Sequence, residues 1–93
     1  MIKSFRDKAC KAFYITGKSK RLPPDIQKVA LRKLDYLNNV RDLNDLKIPP
    51  ANRLESLKGN LKGYYSIRIN RQFRVIFRFE DNNAYDVAIV DYH

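Results

Sequence analysis

The sequence predicts a small α+β protein in which N-terminal helices pack on an antiparallel β-sheet. Apolar residues recur at helical spacing in the N-terminal half, and they alternate with polar residues in the last third. Helices followed by a run of strands are typical of α+β domains. The 93 residues are enough for one compact domain, so we expect a single domain over residues 1–93.

The first predicted elements are a short strand and a helix. The segment IKSF is expected to form the strand, with Ile2 and Phe5 as its apolar anchors. Apolar residues recur at helical spacing in FRDKACKAFYITG, and Gly17 is a typical helix stop. Cys10 is the only cysteine, which excludes an intrachain disulfide, and we expect it to be a small buried apolar residue.

A second helix, in PDIQKVALRKLDYLNN, is the clearest element. Pro24 suits a first helical turn, and Asp25 suits the positive end of the helix dipole. One apolar stripe predicts that this helix packs on a sheet; it consists of Ile26, Val29, Ala30, Leu34 and Leu37. The segment that follows is irregular, so we expect a short helical turn near 43–46 and then a structured loop over one face of the sheet.

Three strands are predicted in the last third of the chain, in YYSIRIN, FRVIFRF and AYDVAIVDY. The alternation places these side chains on one side of each strand: Tyr65, Ile67 and Ile69 in the first, Phe73, Val75, Phe77 and Phe79 on the inner side of the second, and Tyr85, Val87 and Ile89 in the third. Arg68, Arg74 and Arg78 have the opposite parity, so we expect them to share the other face of the sheet.

The charge balance indicates an anionic partner. Nineteen Lys and Arg against ten Asp and Glu give a net charge of +9, which favours RNA or DNA as the partner. Solubility, an acidic protein and an anionic membrane are the alternative explanations. The start of the chain carries charges throughout and has no continuous apolar region, which argues against a signal peptide and a membrane span. We therefore expect a cytoplasmic protein with no membrane partner.

Two groups of cations are candidate phosphate-binding residues. Guanidinium groups bind phosphate at two points, so Arg68, Arg74 and Arg78 could hold an RNA backbone, or they could form an ordinary solvated face. Lys58 and Lys62 each precede a glycine in LKGNLKG, but this pattern is not a phosphate-binding loop, and turn formation explains the glycines. One histidine and one cysteine cannot build a usual zinc site, so neither a metal nor a cofactor is predicted.

The last three residues, Asp91, Tyr92 and His93, are a candidate proton-transfer group. His93 is the only histidine, and imidazole is well suited to move protons near neutral pH. In an extended strand Asp91 lies on the same side as His93, and Tyr92 lies on the opposite side. The alternative is a lone surface histidine at a frayed chain end.

The segments LKG, YYSIRIN, FRVIFRF, AYDV and the terminal DYH, together with the opening MIKSFRDK, resemble the HigB family of toxins in the RelE/ParE superfamily. The resemblance covers essentially the whole chain. It implies a toxin that cuts mRNA on the translating ribosome without a metal. It also implies a HigA-type antitoxin with a helix-turn-helix domain, through which alone operator DNA would be bound.

The resemblance also implies roles for individual residues. Lys58 and Arg74 would bind and neutralise the scissile phosphate. Asp91 and His93 would take part in proton transfer, and Tyr92 would orient the mRNA or stack on it. Lys62, Arg68 and Arg78 are the further candidates for RNA binding. A ribose 2′-hydroxyl would attack the adjacent phosphate, which leaves a cyclic phosphate and a free 5′-hydroxyl.

One position departs from the family pattern. Well-known members have Leu-His-Pro-Leu-Lys-Gly where this chain has LESLKG, so Glu55 replaces a histidine that is thought to be catalytic. A glutamate carboxylate is ionised at neutral pH and can accept a proton, and other branches of the superfamily use one as general base. Alternatively, Glu55 is a solvated loop residue and His93 does more of the work.

Two other functions are compatible with the same fold. One is a ParE-like poison of DNA gyrase, which does not cut RNA. The other is a non-catalytic basic module that is retained for binding its antitoxin. The terminal DYH favours the ribosome-dependent endonuclease, because a gyrase poison does not need these three residues.

Overall fold

In the computed structural model, which describes residues 1–92, two α-helices come first along the chain and a four-stranded sheet follows. The helices are α1, Lys8–Thr16, and α2, Pro24–Asn39; the strands are β1, Glu55–Ser56, β2, Tyr65–Arg68, β3, Phe73–Glu80, and β4, Asn83–Asp91. Strand order follows chain order, and all neighbours are antiparallel. The predicted α+β class, with helices on an antiparallel sheet, is confirmed.

Helix α1 begins and ends at capping residues. A carboxylate oxygen of Asp7 accepts a hydrogen bond of 2.7 Å from the backbone N–H of Cys10 at the first turn. Gly17 has φ of 76°, and its N–H donates to the carbonyl of Phe13 at 2.7 Å, so the predicted stop at Gly17 is confirmed. Cys10 is buried, as predicted.

The N-terminal segment 1–6 lies along the free edge of β4. Ile2 forms a parallel bridge with Ala84, and Phe5 forms one with Val87. The hydrogen bonds alternate between the two segments; for example, the N–H of Arg6 donates to the carbonyl of Val87 at 2.9 Å. The short strand predicted in IKSF therefore takes the form of two isolated bridges that cover a sheet edge.

Helix α2 covers one face of the sheet with its apolar stripe. The main core contains these buried residues: Cys10, Phe13, Ile26, Ala30, Leu34, Leu37, Leu46, Ile67, Ile69, Val75, Phe77, Ala84 and Val87. Val29, which was predicted in the stripe, is only half-buried. Lys33 is an unexpected member of the buried face, because only 5% of it is exposed. No helix within residues 1–92 is long and apolar enough to span a membrane.

The connection between α2 and β2 packs on both faces of the sheet: Leu46 lies in the main core, whereas Leu57, Leu61 and Tyr64 cover the opposite face. It contains three 3-10 turns, Leu43–Lys47, Pro50–Asn52 and Gly59–Leu61, and the first confirms the helical turn predicted near 43–46. Leu57 packs on Ile76 and Ala88 in a second, smaller core, as expected for a structured loop over one face. The loop prediction was wrong for Glu55–Ser56, which pairs with β2 as an edge strand.

A β-bulge interrupts the pairing of β3 with β4. Ile76 pairs with Ala88 and Arg78 with Tyr85, which leaves Phe77 opposite both Asp86 and Val87. Asp86 has φ of 53°, in the left-handed region that aspartate tolerates. The extra residue places Tyr85 on the face of Arg78, so its predicted position beside Val87 and Ile89 was wrong.

Candidate active site

Arg74 is the centre of the candidate site. It lies on β3, directly across from Arg68 of β2 and Val90 of β4, on the face covered by the connection to β2. We expected an outward-facing arginine, but only 8% of Arg74 is exposed, because the covering segment buries it. An arginine remains charged when buried, so its neighbours must compensate for the loss of water.

Three neighbours hold the guanidinium of Arg74. One Nη donates a hydrogen bond of 2.6 Å to the carbonyl of Arg53, and the other lies 3.7 Å from a carboxylate oxygen of Glu55. The ring of Tyr92 covers the group, with its centroid 5.3 Å from the guanidinium carbon. The Nε of Arg74 is buried and has no hydrogen-bond partner within residues 1–92. The guanidinium is therefore fixed in position and keeps an unused donor.

The structure brings Glu55 and Tyr92 to Arg74 from two different elements. Glu55 lies on the short edge strand β1, and half of its side chain is exposed. Tyr92 follows β4, where its backbone N–H donates to the carbonyl of Gln72 at 2.6 Å, and 41% of it is exposed. A carboxylate, a guanidinium and a phenol thus meet at a site that solvent reaches.

Asp91 lies on the other face of the sheet. It pairs with Phe73, whose side chain packs in the main core, and one carboxylate oxygen accepts a hydrogen bond of 2.9 Å from the side-chain amide of Gln72. It also lines a cavity of about 170 Å³ together with Asp7 and Arg21. The structure does not bring Asp91 to Arg74, and its role in proton transfer remains a prediction.

Lys58 and Lys62 lie at the two ends of the 3-10 turn Gly59–Leu61, and both are exposed. Buried Leu57 anchors the start of this segment, so Lys58 extends from a fixed point three residues beyond Glu55. Lysine is a flexible point charge that can follow a phosphate. The phosphate-binding roles of both lysines remain predictions.

The other two arginines have different surroundings. Arg78 is exposed and lies near two carboxylates, Glu80 at 3.1 Å and Asp86 at 3.6 Å, which reduces the charge it can offer to RNA. It is four residues from Arg74, or about 13 Å along an extended strand. Arg68 is half-buried, and its Nε donates to the carbonyl of Asn70 at 3.1 Å. The three arginines share a face, as predicted, but they do not form one cluster.

His93, the third residue of the terminal motif, lies outside the described residues. Within residues 1–92 no group of three or more His, Cys, Asp or Glu side chains is arranged to hold a metal ion.

Sequence reasoning missed Arg53 as a member of the site. Its backbone has φ of 45° and ψ of 57°, a left-handed conformation, and this directs its carbonyl to Arg74. The signal in the sequence is the segment PPANR, since paired prolines followed by Asn indicate a tight turn. That pattern predicts a turn, but it does not predict which side chain the turn will contact.

Comparison with known proteins gives a consistent result. A family model described as a RelE-like toxin of the type II toxin–antitoxin system HigB matches residues 3–93. Toxin HigB-1 of Vibrio cholerae is 46% identical over 85 residues, which are 90% of this chain and 90% of that protein. Endoribonuclease HigB of Proteus vulgaris is 31% identical over 96 residues and is covered completely, as is this chain.

Solved structures show the same fold. YoeB in the YoeB–YefM toxin–antitoxin complex of Staphylococcus aureus has a TM-score of 0.58 at 25% identity, with 100% of this chain and 98% of that chain covered. A YafQ mutant from E. coli has a TM-score of 0.60 at 18% identity, with 98% and 91% covered.

Proposed function

Because the chain belongs to the HigB-like family of RelE-type toxins from type II toxin–antitoxin systems, we propose that it is an endoribonuclease that cuts mRNA on the translating ribosome. The name of the Proteus vulgaris relative, Endoribonuclease HigB, supports the reaction class. The net charge of +9 supports a target made of RNA.

The observation that carries the proposal is the buried, fixed guanidinium of Arg74 between Glu55 and Tyr92. Cleavage by a 2′-hydroxyl places additional negative charge on the phosphoryl oxygens in the transition state. A donor already held in place stabilises that charge without reorganising, which is often the largest contribution to catalysis. Arg74 is proposed to bind these oxygens, Lys58 to add a second positive charge, and Tyr92 to stack on the mRNA.

The proposed reaction needs one proton acceptor and one proton donor. The acceptor takes the proton of the 2′-hydroxyl as its oxygen bonds to phosphorus, and the donor protonates the 5′-oxygen as the bond from phosphorus to that oxygen breaks. Glu55 is proposed as the acceptor, because its carboxylate is solvent-accessible and lies beside Arg74. His93 is proposed as the donor, with Asp91 acting in the same proton transfer. The products are a cyclic phosphate and a free 5′-hydroxyl.

The proposed partners are the ribosome with its mRNA and a HigA-type antitoxin that carries a helix-turn-helix domain. The complex of YoeB with YefM, whose toxin chain is 25% identical to this protein, supports an antitoxin partner. Operator DNA would be bound only through that antitoxin. The proposed place of action is the cytoplasm, where translating ribosomes are found.

Primer extension on a defined mRNA, with and without ribosomes, tests the proposal. We expect cuts only when ribosomes are present. Glu55→Gln keeps the shape of the side chain and removes the basic carboxylate, so cleavage should slow by about a hundredfold. Removal of His93 should have a similar effect, since the chain has no second histidine to replace it.

The two variants separate the possible roles. If Glu55→Gln is inactive and the His93 deletion is fully active, Glu55 is the base and the terminal motif is not catalytic. Growth arrest with uncut mRNA would contradict the endonuclease proposal. Supercoiling by purified gyrase in the presence of the protein would then distinguish a ParE-like poison from a non-catalytic binding module.

A further inference from the structure

A groove beside the candidate active site is lined by four cations. It lies between α2, the 3-10 turn Pro50–Asn52 and the end of β2, and its volume is about 460 Å³. The cations are Arg32, Lys33, Arg53 and Arg68, and the apolar side chains of Val29 and Ile69 form part of its wall. None of the described residues that line the groove carries a carboxylate. We propose that this groove binds the sugar–phosphate backbone of RNA next to the segment held at Arg74.

Lys33 is the first reason to assign an anionic ligand. Only 5% of this residue is exposed, and its ammonium donates to the side-chain carbonyl of Asn52 and lies 5.6 Å from the ring centroid of Tyr36. Both contacts are with neutral groups, which do not balance a buried positive charge. Burial and the nearby Arg32 lower the pKa of Lys33, as expected where cations meet without a counter-ion. A phosphate in the groove would supply that counter-ion.

Arg53 is the second reason, because it connects the groove to Arg74. Its carbonyl accepts the hydrogen bond from Arg74, and the residue also lines the groove. Its φ of 45° is a conformation that glycine adopts more readily than arginine. The backbone alone therefore does not require an arginine at this position. A ligand that reaches both Arg74 and the groove gives the guanidinium a function.

The position of the groove, rather than the chemistry of its side chains, favours RNA over an acidic protein segment as its ligand. Arg32, Arg53 and Arg68 have planar forked donors that match two oxygens of a phosphate or of a carboxylate, so these side chains alone do not distinguish the two ligands. The groove also shares Arg53 with the site proposed to hold the scissile phosphate, so one RNA strand could occupy both. This inference rests on the proposed function, and its experiment is designed so that the two can fail separately.

Arg53→Gly is the most informative variant. It removes the guanidinium and relaxes the left-handed backbone, so the carbonyl remains available to Arg74. We expect the midpoint of thermal unfolding to stay constant or rise, while affinity for RNA falls about tenfold. If Arg53 had only a structural role, the Arg53→Gly variant would not combine unchanged or higher thermal stability with weaker binding of RNA. Arg68→Gln should weaken binding by a similar factor, and Lys11→Gln is the matched control, since Lys11 is exposed on α1 and lies outside the groove.

The probe is a fluorescein-labelled 2′-O-methyl RNA of twelve nucleotides, which cannot be cut because it lacks the attacking hydroxyl. Anisotropy titrations over a salt series should show that each arginine variant lowers the log–log salt slope by about one relative to wild type. Lys11→Gln should leave affinity within about twofold of wild type at physiological salt. Equal affinity and slope in Arg53→Gly, Arg68→Gln and wild type would overturn the inference, as would absence of any RNA binding by wild type.

Two further outcomes separate this inference from the proposed function. If wild type cuts ribosome-bound mRNA and the groove variants bind RNA and cut as wild type does, the groove assignment fails and the proposed function stands. If wild type cuts nothing but the groove variants still lose RNA affinity, the groove assignment stands and the nuclease proposal fails. Groove variants that bind RNA as wild type does but no longer bind a purified antitoxin would show that the groove binds an acidic peptide. That result would overturn the inference.

Discussion

Arg74 is the buried cation at the centre of the candidate site. Arg53, Glu55 and Tyr92 contact its guanidinium, and only 8% of the residue is exposed, although the alternation of β3 alone predicts a solvated position. Its burial depends on a segment some twenty residues earlier in the chain, which includes Arg53 and Glu55. A buried and braced cation acts on developing charge more strongly than a mobile surface cation does.

Arg74→Lys should therefore damage catalysis more than binding. Lysine keeps one positive charge but loses the planar fork that contacts Arg53 and Glu55 together. We expect single-turnover cleavage of ribosome-bound mRNA to slow by at least about a hundredfold, equivalent to about 3 kcal/mol, with ribosome affinity reduced much less.

Arg78→Lys is the matched control, because Arg78 lies on the same strand and face but is exposed beside Glu80 and Asp86. It should cleave at nearly the wild-type rate. Equal losses in the two variants would mean that Arg74 is only one part of a general basic surface.

Cys10 gives a pH-dependent prediction at the same scale. Burial, and then the nearby carboxylate of Asp7, raise the pKa of its thiol from 9.0 to about 12. Between these values the unfolded chain releases a proton that the folded chain retains. The free energy of unfolding should therefore fall as pH rises from about 9 to 12, by up to about 1.4 kcal/mol per pH unit from this group.

Urea unfolding at several pH values measures this slope. Cys10→Ala provides the reference, since it lacks the thiol but retains every lysine and tyrosine that titrates in the same range. The predicted effect is the difference between the two slopes. Identical slopes, or a native thiol that reacts with Ellman's reagent at pH 8 as fast as the unfolded one, would contradict the assignment.

At the scale of elements, Asn52 links the connection between α2 and β2 to helix α2 by hydrogen bonds. Its side-chain carbonyl accepts from Lys33, and its amide donates to the carbonyl of Leu46 at 3.1 Å. The residue is fully buried. Both contacts also position the 3-10 turn Pro50–Asn52, from which Arg53 continues to the site.

Asn52→Ala should therefore destabilise the protein by about 3 kcal/mol, because it leaves a buried ammonium and a buried carbonyl without their partner. Urea unfolding should show this loss. Asn44→Ala, at an exposed asparagine in the neighbouring turn Leu43–Lys47, is the control and should change stability by less than about 0.5 kcal/mol. If both variants are equally stable, Asn52 does not organise the connection.

The local pattern of apolar and polar residues was sufficient to predict the helices and strands. It failed where contacts with distant segments of the chain determine the structure. The stripe of α2 and its start at Pro24 were predicted because they depend on neighbours within the helix. The burial of Lys33 was not, since its partner Asn52 comes from an irregular segment. The bulge at Asp86 was also missed; it coincides with the bridges to segment 1–6, where the N–H of Asp86 donates to the hydroxyl of Ser4.

The same limit applies to the candidate site. Residue types and the family resemblance pointed to Glu55, Arg74 and Tyr92, and the structure brings these three together. The sequence could not show that Asp91 faces the opposite side of the sheet from Arg74, because that depends on the register of β3 with β4. Nor could it show Arg53, whose part in the site depends on the backbone of a turn.

For the whole molecule, the excess of positive charge predicts that ribosome binding is strongly electrostatic. With a net charge of +9, several phosphate contacts should make affinity fall steeply as salt is added, with a log–log slope of about one per contact. Equilibrium binding to purified ribosomes across a salt series measures that slope. Ribosome affinity that does not change with salt would refute the prediction. If added salt slows cleavage but leaves affinity unchanged, the salt acts on the cleavage step rather than on binding.

The parallel bridges of segment 1–6 with β4 have a consequence for biosynthesis. Ser4 and Asp86, which are joined by a hydrogen bond, are 82 positions apart in sequence. Until β4 has been synthesised, segment 1–6 has no strand to pair with, and Tyr92 is not yet present to contact Arg74. The pairing of segment 1–6 and the contact of Tyr92 with Arg74 therefore both require residues 83–92, so a nascent chain that stops before these residues lacks both.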